Sequence, residues 1–217
     1  MDARQKVRAQ QFPNLGYLSA EVPLDLMDLL RVRVAEVQAD FGKAKPKNEH
    51  LVGHLRKEFS LDHCKDEFER YLVSLSFAYD KIFHYLGGFN IFGKPADFEL
   101  HLHLSSLWVN FQEKHEFNPP HNHSGVMSFV IWVQVPYDLE KEKLWFPDLH
   151  AGNRKASIFE FFYNSSLGYA ATCGLEVDKT WEGKVVMFPA KLMHAVHPFY
   201  TSDDYRISVS GNIGVRA

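Results

Sequence analysis

The chain has 217 residues, 46% of them hydrophobic, which is enough for one buried core with a helical flank. Its 24 basic and 27 acidic residues leave a net charge of −3 with no basic block, which argues against nucleic acid or an anionic membrane surface as a partner. No apolar run is long enough to cross a bilayer, the start MDARQKVRAQQF lacks the apolar core of a signal peptide, and Cys64 and Cys173 stand far apart without CxxC spacing. The expectation is a cytoplasmic protein with reduced structural thiols.

Residues 23–42 place Leu24, Leu26, Met27, Leu30, Val34 and Val37 at helical spacing ahead of a glycine stop, predicting a first helix. The polar stretch 43–63 predicts a loop with a short helix. Residues 65–88 predict a second helix, acidic at its start and ended by Gly87-Gly88.

After Pro95 the period changes. Residues 98–111, FELHLHLSSLWVNF, alternate, and put Leu100, Leu102, Leu104, Ser106, Trp108 and Asn110 on one face. His101 and His103 alternate against that face and are expected to point outward. Residues 126–135 are apolar on both faces, as in a strand inside a sandwich. Further strands are expected at 143–146, 157–163, 184–189 and 205–213. The chain therefore reads as α+β, a single domain over 1–217, mainly helical over 1–95 and an antiparallel sandwich or barrel over 96–217.

Chemistry concentrates in two places. In 117–136, FNPPHNHSGVMSFVIWVQVP, His121 and His123 stand at i and i+2 on an extended segment, so both side chains reach the same side and can converge on one ion. Pro119-Pro120 keeps the approach extended. The pattern alone is weak, since a solvated strand end produces it too. In 183–213, GKVVMFPAKLMHAVHPFYTSDDYRISVSGNI, His194 follows a strand and a turn, and twelve positions later Arg206 opens a strand on one face with Ser208 and Ser210. An arginine facing inward is costly unless it meets an anion, and its planar fork suits a carboxylate. An internal salt bridge or a solvated strand end is the plainer alternative.

The ordered set of HxH, the histidine of FPAKLMHAVHPF and RISVSGN resembles the Fe(II)- and 2-oxoglutarate-dependent oxygenases, and within them the prolyl-hydroxylase-like oxygenases of marine phages and bacteria. The resemblance covers about 98–213. It implies a double-stranded β-helix (jelly roll) with the N-terminal helices packed on it, and hydroxylation of a peptide residue or small molecule with 2-oxoglutarate and O2. It implies His121 as the first Fe(II) ligand and His194 as the distal one, with no catalytic residue beyond the metal centre. Arg206 and Ser208 would hold the far carboxylate of 2-oxoglutarate, and Asn110 and Trp108 would line the co-substrate pocket. For a phage-encoded chain the compartment is the host cytoplasm.

One position departs from the family pattern, whose first motif is HxD. His123 is read as a neutral third ligand, with Glu116 as a substitute carboxylate or a two-ligand site as alternatives. Two other classes stand beside the oxygenase: a cupin-like three-histidine dioxygenase that does not use 2-oxoglutarate, and a non-catalytic jelly-roll binding protein. His197 is read as a rim residue and His115 as lining the entrance. Segments 111–120 and 148–178 are expected to flank the opening, and 50–61 to pack near it.

Overall fold

The computed structural model describes residues 15–47, 53–86, 101–146 and 155–216. Along these the chain runs β1 (Leu18–Glu21), α1 (Leu24–Ala39), β2 (Glu58–Ser60), α2 (Asp66–Phe83), β3 (Leu102–Gln112), β4 (Asn118–His121), β5 (Met127–Gln134), α3 (Leu139–Leu144), β6 (Ile158–Asn164), β7 (Ala170–Glu176), β8 (Lys184–Pro189), β9 (Met193–Val196) and β10 (Arg206–Val215). The strands form a six-stranded sheet in the order β1-β8-β5-β10-β3-β2 and a four-stranded sheet in the order β4-β9-β6-β7. Every ladder is antiparallel.

The two helices follow from their apolar stripes. Helix α1 buries Met27, Leu30, Val34 and Val37. Leu24, assigned to that stripe from its spacing, is 80% exposed, because the first helical turn precedes the contact. Helix α2 opens on Asp66, Glu67 and Glu69, which suit the positive end of the dipole, and buries Phe68, Leu72, Leu75 and Tyr79. It ends at His84, which takes the left-handed conformation (φ 51°) that the expectation gave to Gly87-Gly88, residues outside those described.

Two expectations are corrected. The strand expected at 143–146 is helix and turn: Asp138 caps α3 by accepting from the Glu140 and Lys141 N–H groups, and Leu144, Trp145 and Phe146 are exposed. The Glu-Lys-Glu-Lys run before them favours helix and offers no alternation. The 43–63 stretch carries strand β2 and a 3-10 turn at Asp62–Cys64. With β1, β2 brings the N-terminal part onto both edges of the large sheet.

Strand β3 changes face midway. It pairs Ser106 with Asn212 but Leu104 with Ile213, so Ser105 is an extra residue, a β-bulge. Below the bulge Leu102 and Leu104 enter the same core as Leu107, Val109 and Phe111 above it. The single face drawn from Leu100 to Asn110 therefore splits: the leucines pack under the helices, while Trp108 and Asn110 face the other way, into a pocket. Leu100 lies outside the described residues.

Two cores result. One lies between the large sheet and α1 and α2; the other joins Val130, Trp132, Val186 and Phe188 of the large sheet to Phe159, Phe161 and Leu175 of the small one. Strand β5 contributes to both, which is why its sequence is apolar on both faces.

Candidate metal centre

Strands β4 and β9 are neighbours, and their register sets His121 directly opposite His194. His123 lies two residues beyond, past the end of β4, with its backbone N–H donating to the Ala190 carbonyl at 2.8 Å. The rings converge: centroids are 4.3 Å apart for His121 and His194, 5.0 Å for His121 and His123, and 5.0 Å for His123 and His194. One nitrogen from each lies within 4.8 Å of the others.

The backbone selects the tautomers. His121 Nδ1 donates to the Pro119 carbonyl at 2.7 Å, and His194 Nδ1 to the Leu192 carbonyl at 3.0 Å. A carbonyl can only accept, so the proton is on Nδ1 and the Nε2 lone pair is free, the arrangement that orients metal-binding imidazoles. Both carbonyls belong to residue i−2, and the extended backbone at Pro119-Pro120 presents the first.

Burial keeps the rings neutral. It holds the His121 imidazole below its usual range and pushes that of His123 to about 4. His194, 3% exposed, is held well below, first by burial and then by its two neighbours. The His194 ring stacks on Phe159 (5.4 Å, 19°) and meets the edge of Phe188 at 4.8 Å. His123 leans on Trp108 at 5.5 Å.

Arg206, the first residue of β10, lies in the same pocket and is 3% exposed. Its Nε and Nη2 both donate to Gln112 Oε1, at 2.9 and 2.6 Å; Nη1 reaches the Tyr137 hydroxyl at 3.0 Å and the Ser157 carbonyl at 3.3 Å, and Nη2 the His197 carbonyl at 2.7 Å. All these acceptors are neutral. Neither plainer alternative for Arg206 is met: it is not solvated, and no salt bridge holds it among the described residues. Asn110 Nδ2 donates to Ser208 Oγ at 3.2 Å and Ser210 Oγ at 3.4 Å, while Asn110 Oδ1 is buried without a partner.

The pocket thus brings together His121, His123, His194, Arg206, Ser208, Asn110 and Trp108, all seven residues expected from the sequence. Glu116 is not among the converging ligand atoms; its carboxylate accepts from the Arg56 and Glu113 N–H groups and clamps a loop. His197 turns its ring to Glu160 at 2.8 Å and touches Arg206 only through its carbonyl. Among the described residues, His101 and His103 take no part in the cluster. Leu55 and Glu58 line the pocket from the 50–61 segment. Gln112 and Glu58 went unassigned in the sequence; Gln112 continues the Trp108, Asn110 alternation by one step.

Two facing antiparallel sheets bring three neutral imidazoles together between them, in a pocket that also holds a buried arginine, and the three rings could hold a metal ion. Such a ligand set suits a divalent transition metal, iron included. Residues 106–212 match the family described as "Putative 2OG-Fe(II) oxygenase". The crystal structure of a Pseudomonas putida prolyl-4-hydroxylase superposes with a TM-score of 0.53 at 14% identity, covering 94% of each chain. No curated protein matches the sequence. Residues 106–212 thus resemble the 2OG-Fe(II) oxygenases, a family whose cofactors are Fe(II) and 2-oxoglutarate, and the likeness to the hydroxylase is one of fold.

Proposed function

We propose that the protein hydroxylates a C–H bond of a peptidyl residue, prolyl among the candidates, on a double-stranded β-helix scaffold. In this reading His121, His123 and His194 hold Fe(II) through Nε2. Arg206 and Ser208 receive the far carboxylate of 2-oxoglutarate, with Asn110 and Trp108 on the wall beside it. The observation that carries the reading is a buried, uncompensated guanidinium in the same pocket as three oriented, neutral imidazoles. The likeness to a prolyl-4-hydroxylase supports the substrate class.

Fe(II) with 2-oxoglutarate, when bound, would supply, with O2 as the oxidant, the coupled decarboxylation and C–H hydroxylation for which no side chain substitutes. The chain's own residues orient and exclude. The Pro119 and Leu192 carbonyls fix the imidazole planes. Phe159, Phe188 and Trp108 wall the histidines from water. Tyr137 and Phe199 rings flank the guanidinium at 5.8 and 5.6 Å and leave its charge little screened.

The test is anaerobic titration of Fe(II) into the metal-free protein with and without 2-oxoglutarate, following visible charge-transfer absorption. The expected band requires both additions, disappears in His194→Ala and weakens in Arg206→Ala. Metal binding with no band on adding 2-oxoglutarate would overturn the reading in favour of a three-histidine centre that does not use it.

A further inference from the structure

We propose that Glu58 is the counter-charge of the metal centre: from the pocket wall it supplies the negative charge that three neutral imidazoles do not. The inference rests on the metal reading above.

Glu58 lies on β2, opposite Asn110 of β3. It is 3% exposed and lines the pocket of the three histidines and Arg206. Of the described residues lining that pocket it alone is acidic. Among the described residues its carboxyl meets no hydrogen-bond or ion-pair partner. The contrast with Glu116 is sharp, since that carboxylate accepts two backbone N–H groups. Arg206 shares the pocket, but its N–H groups go to Gln112, Tyr137, Ser157 and His197.

Placing a carboxyl in such a site is costly unless a cation compensates it. The described residues offer none in contact, and the metal is the cation the site is built to hold. The charges agree. A dication and Arg206 bring three positive charges, and dianionic 2-oxoglutarate cancels two. Glu58 cancels the third, so the loaded pocket is neutral in a region where residual charge is poorly screened. Glu58 is not among the converging ligand atoms, so its action is through the field of the pocket. Burial, with the nearby Glu116 adding to it, raises the Glu58 carboxyl to about 7.

The experiment is calorimetric titration of Mn(II), a redox-stable stand-in for Fe(II), into the metal-free full chain, then of 2-oxoglutarate into the Mn(II) form. Wild type, Glu58→Gln and the pair Glu58→Gln/His123→Asp are compared, with thermal unfolding of each metal-free protein. A counter-charge predicts opposite effects of Glu58→Gln on the two ligands. Mn(II) affinity falls roughly ten-fold or more, while 2-oxoglutarate affinity holds or rises. The metal-free variant is at least as stable as wild type, and His123→Asp, which returns a charge to the ligand set, recovers Mn(II) affinity. Unchanged Mn(II) affinity, or Mn(II) and 2-oxoglutarate weakened together, would overturn the proposal. The first result makes Glu58 a contact for something other than the metal, the second a packing residue. Failure of wild type itself to bind Mn(II) would instead remove the metal reading and the inference with it.

Discussion

Arg206 and Gln112 stand opposite one another on β10 and β3, and a single amide oxygen, Gln112 Oε1, accepts from two N–H groups on one edge of the guanidinium. The amide occupies the place a carboxylate would take, without a carboxylate's charge. Arg206 is thereby held in position with its charge left unneutralised. An acidic residue there would have quenched it.

Gln112→Glu should convert this contact into an internal ion pair. The co-substrate must then compete with a tethered carboxylate, so the 2-oxoglutarate KM should rise by about ten-fold or more, with Mn(II) affinity unchanged or higher. Steady-state kinetics at varied 2-oxoglutarate, with Mn(II) calorimetry beside it, reads both. An unchanged KM would show that the co-substrate does not use this guanidinium.

The three histidines should not be equivalent. His121 and His194 are tethered by Nδ1 to backbone carbonyls, whereas among the described residues no such tether holds His123. Replacing either tethered residue by alanine should lower divalent-metal affinity about a hundred-fold, and His123→Ala by less. Equal losses would mean that the carbonyl tethers contribute nothing.

Glu58 sets a pH dependence on the metal-free protein. Its carboxyl ionises near 4.5 ordinarily and near 7 when folded. Between those values the folded state binds more protons than the unfolded one. Stability from this group is therefore intact below about 4.5, falls as pH rises towards 7 and levels off above, by roughly 3 kcal/mol in all. Urea unfolding of wild type and Glu58→Gln at about pH 5 and about pH 8 isolates the effect as a difference between the two proteins. The variant should gain relative stability at the higher pH; a constant difference would place the Glu58 carboxyl near its ordinary value.

Gly211, in β10 between β3 and β5, is required by close approach. A Cβ there would lie 2.5 Å from the Ser106 carbonyl oxygen and 2.5 Å from Phe129 Cζ. The Phe129 ring can move and the backbone oxygen cannot do so cheaply, so Gly211→Ala should destabilise by about 1–3 kcal/mol, seen as a lowered Tm.

The site was more legible in the sequence than the scaffold. His121, His123 and Arg206 carry their chemistry in local spacing: two imidazoles at i and i+2, and an arginine opening an apolar strand. His194 could be joined to them only through the order of motifs, because its register opposite His121 is a tertiary fact. Glu58 and Gln112 gave no such signal, being single polar residues whose burial depends on which strands meet. Leu144-Trp145-Phe146 read as a strand because an apolar triplet has no period of its own, and the Asp138 cap decided it locally. The bulge at Ser105 has no mark in the sequence; it is visible only as a break in the β3–β10 register.

That bulge gives β3 two reading frames. Residues before it are in phase with the helix-covered core, and residues after it present their even-numbered side chains to the metal pocket. Loss of Ser105 alone would leave composition and hydrophobicity almost untouched, yet slide one half of the strand out of phase with the other. Either Leu102 and Leu104 would lose their core, or Trp108, Asn110 and Gln112 would trade places with Leu107, Val109 and Phe111 and the chemistry would be turned inside out. One serine, not itself among the residues lining the pocket, keeps the two halves of the strand in step.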